Sequence, residues 1–324
     1  MTRLLRVGDR VAFDGAEHQV AVLSGSWVRL VGLDGTPRAV LLTHLVGSPG
    51  FDILGGDPVA PRSVLANHVL AGVAEDVAQR ARLPDAIFAH PLLARVYDAF
   101  DGDRDDLAAY LAIVGELTAN LVLDIGCGTG SLALLLAKSG YNVVGVDPAE
   151  ASLKIAKLKD QAGRIRWIHG DATALPALDA DLATMTGNVA QVFLTDNDWA
   201  QTLQGIHTAL RPNGYLVFET RCPERRAWEE WAADVDPVTL DIPGIGPMEQ
   251  RLEVTDVNLP FVSFRHTYRF LTDGATITSD STLRFRSRDE VESSLAADGY
   301  RVLDVRAAPD RPGRELVFIA QRST

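Results

Sequence analysis

Residues 121–130 read Leu-Val-Leu-Asp-Ile-Gly-Cys-Gly-Thr-Gly. The apolar run from Leu121 to Leu123 is strand-like and ends in a carboxylate, Asp124. Gly126, Gly128 and Gly130 follow on alternate positions, and an apolar helical pattern then runs from Leu132 to Ala137. A buried strand that turns through glycines into a helix makes a ligand-binding loop. Glycine accepts positive φ and puts no Cβ in the path of a ligand. In open α/β sheets the ligand sits in the crevice beyond the carboxyl ends of the strands.

Outward from this loop the texture alternates. Strand 121–125 leads to helix 131–139, and strand 142–146 to helix 149–160. Strands 164–169 and 181–186 follow, then helix 197–210 and strand 214–220. Helical patterns at 91–100 and 104–118 precede the set. Such alternation predicts a parallel sheet covered on both faces. Residues 223–260 break the pattern, with Trp228 and Trp231 near a charged helical stretch and a Pro/Gly-rich loop from Ile242 to Met248. Residues 261–271 and 275–286 read as a hairpin around Asp273-Gly274, and helix 288–298 and strands 300–307 and 314–321 close the chain. Before residue 49, short β runs punctuated by Asp14-Gly15 and Asp34-Gly35 predict a four- or five-stranded barrel. Glycines and prolines mark 49–61 as a linker, and 62–82 carries Val64, Leu65, Val69, Leu70 and Val73 on one helical face before Pro84 breaks it. The expected division is a β module at 1–50, a linker and helix at 51–85, and an α/β domain at 86–324.

Chemistry-bearing residues recur at the strand ends. Asp147 closes the strand Val143–Val146, where a carboxylate can accept from both hydroxyls of a ribose. Gly170-Asp171-Ala172 follows the strand Ile165–Ile168, placing a second carboxylate where it could accept from an adenine amine. Gly187-Asn188-Val189 ends the next strand at the edge of the same crevice. A dinucleotide fingerprint, Gly-x-Gly-x-x-Gly, needs a glycine where Ser131 stands, which argues against a nicotinamide-dependent oxidoreductase.

Taken together, Val122–Gly130, Val144–Asp147, Gly170–Ala172 and the turn Leu210-Arg211-Pro212-Asn213-Gly214-Tyr215-Leu216 resemble the class I S-adenosylmethionine-dependent methyltransferases over about residues 86–322. The resemblance implies an α/β fold, a Rossmann-like doubly wound seven-stranded sheet with an antiparallel C-terminal hairpin, here joined to the small N-terminal module. It implies S-adenosylmethionine as cofactor. The glycine loop (Gly126, Cys127, Gly128, Gly130) and Asp124 would hold its methionine part, Asp147 and Pro148 its ribose side, and Asp171 and Ala172 its adenine. Gly187 and Asn188 would edge the site and Tyr97 close over it. The reaction implied is direct displacement at the sulfonium methyl, which gains chiefly from in-line positioning and needs no nucleophilic residue. The insertion 223–286 is the expected lid. No catalytic residue is identified beyond His266, the titratable side chain in the lid hairpin; His169 and His207 are the other titratable candidates.

The chain has 324 residues, 31 basic against 43 acidic, and a formal charge of -12, which argues against nucleic acid and anionic membrane as partners and favours a small-molecule substrate. Two cysteines, Cys127 and Cys222, make neither a disulfide framework nor a metal cluster. With no apolar run long enough to span a bilayer and no signal-peptide pattern, a cytoplasmic protein is expected. Trp228 and Trp231 read as packing residues, and Asp101, Asp103, Asp105 and Asp106 as a solvated helix start rather than a calcium loop. Residues 5–15 and 40–45 resemble the small β module of actinobacterial Mu-type or integrase-like transposases. With seven basic and eight acidic residues over 1–80, that segment has no charge for strong duplex binding. The competing function is a catalytically silent S-adenosylmethionine-binding or DNA- or partner-binding fusion protein. Oligomeric state is not legible.

Overall fold

The computed structural model describes residues 9–13, 15–24, 27–33, 37–41, 45, 51–56, 84–102, 104–308 and 311–323. They belong to two units, Met1–Val77 and Ala78–Thr324. Among the described residues no helix is long and apolar enough to cross a membrane.

The first unit holds β1 (Asp9–Phe13), β2 (Ala16–Ser24), β3 (Trp27–Gly32), β4 (Pro37–Leu41) and β5 (Asp52–Gly56) in one antiparallel sheet of order β4-β3-β2-β1-β5. Val11, Phe13, Val20, Val28, Leu30 and Leu45 form its core. The expected linker at 49–61 is corrected by β5, whose Ile53 pairs with Val11 and packs, with Phe51, on that core. Glycines around this short run obscured it: Phe51-Asp52-Ile53 alternates as a half-buried strand does. The helix expected at 62–82 lies outside the described residues.

The second unit opens with α1 (Ala86–Ala89), α2 (Pro91–Asp101) and α3 (Leu107–Glu116). The alternating core follows: β6 (Leu121–Ile125), α4 (Ser131–Lys138), β7 (Asn142–Asp147), α5 (Glu150–Lys159), β8 (Ile165–His169), β9 (Ala180–Met185), α6 (Asp196–Ala209) and β10 (Leu210–Arg221). α8 (Arg288–Ala297), β15 (Tyr300–Ala307) and β16 (Glu315–Arg322) end the chain. The sheet order is β15-β16-β10-β9-β6-β7-β8, with β6 to β10 parallel and β16 antiparallel to both β10 and β15. This is the doubly wound sheet with its antiparallel terminal hairpin. The order reverses between β6 and β9, which opens a crevice at their carboxyl ends.

Alternation sorts the strand residues between two faces. Leu123, Ile125, Met185 and Phe218 pack against Trp199, Leu203 and Ile206 of α6 and Val291 and Leu295 of α8. Val122, Leu182 and Val217 pack against Tyr110 and Val114 of α3 and Leu132 and Leu136 of α4. Asp124, Thr184 and Glu219 have the parity of this second face, and Asp124 and Thr184 are direct neighbours in the ladder.

Between β10 and α8 lie α7 (Ala227–Ala233), β11 (Val238–Ile242), β12 (Gly246–Asn258), β13 (Phe261–Phe270) and β14 (Thr276–Arg284). The four strands form a separate antiparallel sheet, β11-β12-β13-β14. The expected hairpin is therefore half of a larger sheet. The stretch read as a loop, Ile242 to Met248, is the turn from β11 into β12, made by Gly244 (φ 76°) and Gly246 (φ 102°). One face of this sheet presents Met248, Tyr268 and Phe270 to Ile87, Leu93 and Val96 of α1 and α2. Its other end packs Val262 and Phe285 on Trp228 and Trp231 of α7. Trp228 is buried edge-on to Phe285, ring centroids 4.9 Å apart, so it is a packing residue.

Candidate active site

All three loop glycines have positive φ, at 67°, 54° and 86° for Gly126, Gly128 and Gly130. They serve different purposes. A Cβ on Gly126 would lie 2.6 Å from Val189 and one on Gly130 2.8 Å from Trp167, whereas one on Gly128 would meet nothing within 4 Å. The outer two glycines permit packing, and the middle one faces open space. The Gly126 and Cys127 N–H groups donate to the Val146 carbonyl at 2.9 and 3.1 Å, tying the loop to the end of β7. Cys127 is buried and burial raises its thiol pKa, so it is neither ion nor nucleophile.

Asp147 stands under the loop. Its Oδ2 accepts from Gly128 N–H at 2.8 Å and its Oδ1 from Ala149 N–H at 2.7 Å. Each carboxylate oxygen keeps a further lone pair for a ligand hydroxyl. Burial lifts the Asp147 pKa above the ordinary range, and these two bonds oppose the lift. Asp124 is 2% exposed and accepts from Thr184 Oγ1 at 3.1 Å. Burial pushes it up to about 7; the Thr184 bond opposes this and the Asp147 charge adds to it.

The neighbouring strand ends are fastened to the same edge. Pro148 O lies 3.0 Å from His169 Nε2, and Gly170 N–H donates to Asp147 O at 3.1 Å. Asp171 is exposed and caps the helical turn Ala172–Ala174, its Oδ1 accepting from Thr173 N–H at 2.9 Å and Thr173 Oγ1 at 2.5 Å. Ala172 is buried beside it. Tyr97 lies on α2 against Phe88, ring centroids 5.5 Å apart, in the cluster that meets the inserted sheet, and burial raises its phenol. Its neighbour Asp98 reaches the loop. Thr129 Oγ1 donates to Asp98 Oδ1 at 2.5 Å, and Lys159 Nζ holds the other oxygen at 2.7 Å.

Gly187 and Asn188 lead to two residues that sequence reasoning missed. Their N–H groups donate to Glu219 Oε1 at 2.6 and 3.1 Å, and Asn188 Nδ2 donates to Glu315 Oε1 at 3.1 Å. Glu219 is 5% exposed; burial and the neighbouring Glu315 push it up to about 7, against the pull of the two N–H bonds. Glu315 also meets Arg311 at 3.0 Å and Arg221 at 3.6 Å. The available signal was a lone acid inside the apolar run Leu216-Val217-Phe218-Glu219. Asp101 and Asp106 are both held by Arg104, at 2.8 Å each, so its guanidinium neutralises them.

His266 sits mid-strand on β13 between Phe264 and Tyr268, at centroid distances of 5.5 and 6.2 Å. Its Nδ1 is buried and finds no partner among the described residues. Burial pulls its pKa down to about 4, so the ring is neutral at physiological pH. His169 is exposed at Pro148, and His207 packs edge-on to Tyr300 at 5.6 Å, on α6. The structure does not bring the three histidines together.

The edge so formed fits S-adenosylmethionine. Gly128 leaves the loop open, the Asp147 carboxylate offers paired acceptors to a ribose, and Asp171 with the Ala172 turn closes the far side. Residues 122–214 match the methyltransferase domain family. A protein of Geobacillus sp. (strain WCH70) that carries a methyltransferase name is 35% identical over 108 residues, 32% of this chain and 44% of that protein. The malonyl-(acyl-carrier protein) O-methyltransferase of Pseudescherichia vulneris is 32% identical over 131 residues, 39% and 51% of the two chains. The chain thus spans about half the length of the curated relatives it matches. Among solved structures, the sugar N-methyltransferase KedS8 of Streptoalloteichus sp. ATCC 53650 superposes with a TM-score of 0.59 at 18% identity, covering 71% of this chain and 93% of that one. Residues 122–214 thus match the methyltransferase domain family, and the unit that holds them has the Rossmann-like fold of solved methyltransferases.

Proposed function

We propose that this chain transfers a methyl group from S-adenosylmethionine to a small molecule. The observation that carries the reading is the glycine loop closed onto Asp147, with Gly128 facing open space above the carboxylate. In this reading Asp124 and the loop residues Gly126, Cys127, Gly128 and Gly130 hold the methionine end. Asp147 and Pro148 hold the ribose, and Asp171 and Ala172 the adenine. Gly187 and Asn188 mark the edge toward the acceptor, and Tyr97 covers the crevice from α2. The cofactor supplies an activated methyl group. The contribution of the protein is to hold donor and acceptor in line and to exclude water. A neutral His266 in the inserted sheet offers a hydrogen-bond partner to an acceptor.

The sugar N-methyltransferase carries a small-molecule acceptor in its name, which supports that class here. The setting we propose is the cytoplasm, supported by two cysteines that are both free. The N-terminal sheet is proposed as an appended module outside the chemistry. Calorimetry with S-adenosylhomocysteine and with NAD tests the reading. Binding of the first and not the second is expected; binding of NAD alone would overturn it.

A further inference from the structure

The cofactor residues Asp124 and Asp147 end β6 and β7, so the acceptor approaches from the other side of the crevice, over the ends of β9 and β10. There the charges pair off unevenly. Arg104 takes Asp101 and Asp106, and Arg221 and Arg311 both take Glu315. Among the described residues Glu219 accepts hydrogen bonds from the Gly187 and Asn188 N–H groups, both on Oε1. It is a buried carboxylate that no cation among the described residues bonds, on the same sheet face as Asp124 and two strands over, about 10 Å by strand spacing.

A second acceptor stands beside it. Asn188 is 3% exposed, and its Oδ1 finds no donor among the described residues. The amide orientation is set by its partner, because Nδ2 must face the Glu315 carboxylate. A buried acceptor with no donor among the described residues, next to a buried carboxylate that Arg221 attracts but does not bond, suits a ligand group that brings several N–H donors and a positive charge. Arg221, two residues past Glu219, is itself turned to the Trp231 ring, 5.1 Å from its centroid.

We propose that the acceptor is an amine, held as its ammonium ion by the Glu219 carboxylate and the Asn188 side-chain oxygen. This rests on the methyltransferase reading above. An ammonium has no lone pair, so it must lose a proton before it can react. Glu219 takes that proton: one N–H bond breaks, one O–H bond forms, and the amine keeps the electron pair. The result is a neutral carboxylic acid beside a neutral nucleophile. His266, held near pKa 4 by burial, is the weaker base of the two.

The test uses the full chain loaded with S-adenosylhomocysteine and titrated calorimetrically with benzylammonium and with benzyl alcohol, a neutral probe of nearly the same shape. The ammonium should bind at least about tenfold tighter, the scale of one charge-assisted hydrogen bond. Glu219→Gln should reduce the preference to within about threefold, since its amide oxygen can still accept from Gly187 and Asn188. Asn188→Gly keeps the left-handed backbone at φ 60° and removes the orphan oxygen; it should weaken the ammonium severalfold, and more than it weakens the alcohol. If S-adenosylhomocysteine itself does not bind, the methyltransferase reading fails. If it binds and benzylammonium shows no preference, or neither probe binds, or Glu219→Gln keeps the preference, the amine assignment is wrong and the methyltransferase reading stands.

Discussion

Gly126→Ala is the sharpest perturbation of the glycine loop, because its cost divides into two parts that separate experimentally. The backbone part comes from φ 67°, where an L side chain costs about 1 kcal/mol. The packing part comes from Val189, whose Cγ2 would lie 2.6 Å and Cγ1 3.0 Å from the new Cβ; overfilling of this kind costs about 1–3 kcal/mol. Together they predict a loss of about 2–4 kcal/mol, a large share of the stability of an ordinary domain. Val189→Ala alone removes two methyl groups from a half-buried site and should cost about 1 kcal/mol. In the double variant the packing part vanishes and the backbone part stays. The two substitutions should then couple favourably by about 1–3 kcal/mol, as contacting residues do. Urea unfolding followed by tryptophan fluorescence measures this, since Trp167, Trp199, Trp228 and Trp231 all report on the larger unit. Additivity within about 0.5 kcal/mol would refute the reasoning, because it would mean that the β6 and β9 loops do not press on each other there.

Asp147→Ala should weaken S-adenosylhomocysteine by about 1.5–3 kcal/mol, or about 10- to 150-fold, and an unchanged calorimetric affinity would remove Asp147 from the site. Asp124 is raised to about 7 in the fold, so the native state binds more protons than the unfolded chain between about pH 4 and 7. Stability of the cofactor-free protein should therefore fall as pH rises through that window, and Glu219 acts in the same direction. Asp124→Asn should flatten the slope of melting temperature against pH; identical slopes would contradict the assignment. Thr129→Val removes the bond to Asp98 and should cost about 1 kcal/mol, with faster hydrogen exchange in α2 as the diagnostic. Unchanged exchange there would show that α2 is held by its apolar contacts alone.

The residues that sequence exposed are those whose role is local. Asp124, Gly126 to Gly130 and Asp147 lie within one turn of a strand end, and their spacing is dictated by the geometry of that turn. Glu219 has no such frame. Its meaning comes from Gly187 and Asn188, about thirty residues away, and from Glu315 on a strand that enters the sheet last. β12 was hidden for a related reason. Gly244, Gly246 and Pro247 look like loop residues, yet they make a tight turn whose second strand is fixed by ten residue pairs with β13, a non-local contact. β5 shows the same effect in miniature, a short run between glycines given its identity by pairing with β1.

The inserted sheet does not rest on the parallel sheet by itself. Its apolar face is shared with α1 and α2, which precede β6 by twenty residues or more, while the sheet follows β10. Two segments from opposite ends of the unit, 84–101 and 238–284, are thus one roof over a floor of strand ends. Ile87 N–H donates to Ser279 Oγ at 2.8 Å and Ser281 Oγ to Asp85 Oδ2 at 2.6 Å, stitching the halves together. Roof and floor can therefore diverge separately, but the two halves of the roof cannot. A graft that carries only the insertion into a relative would strand Met248, Tyr268 and Phe270 without their partners, whereas both segments moved together keep the shared apolar face intact.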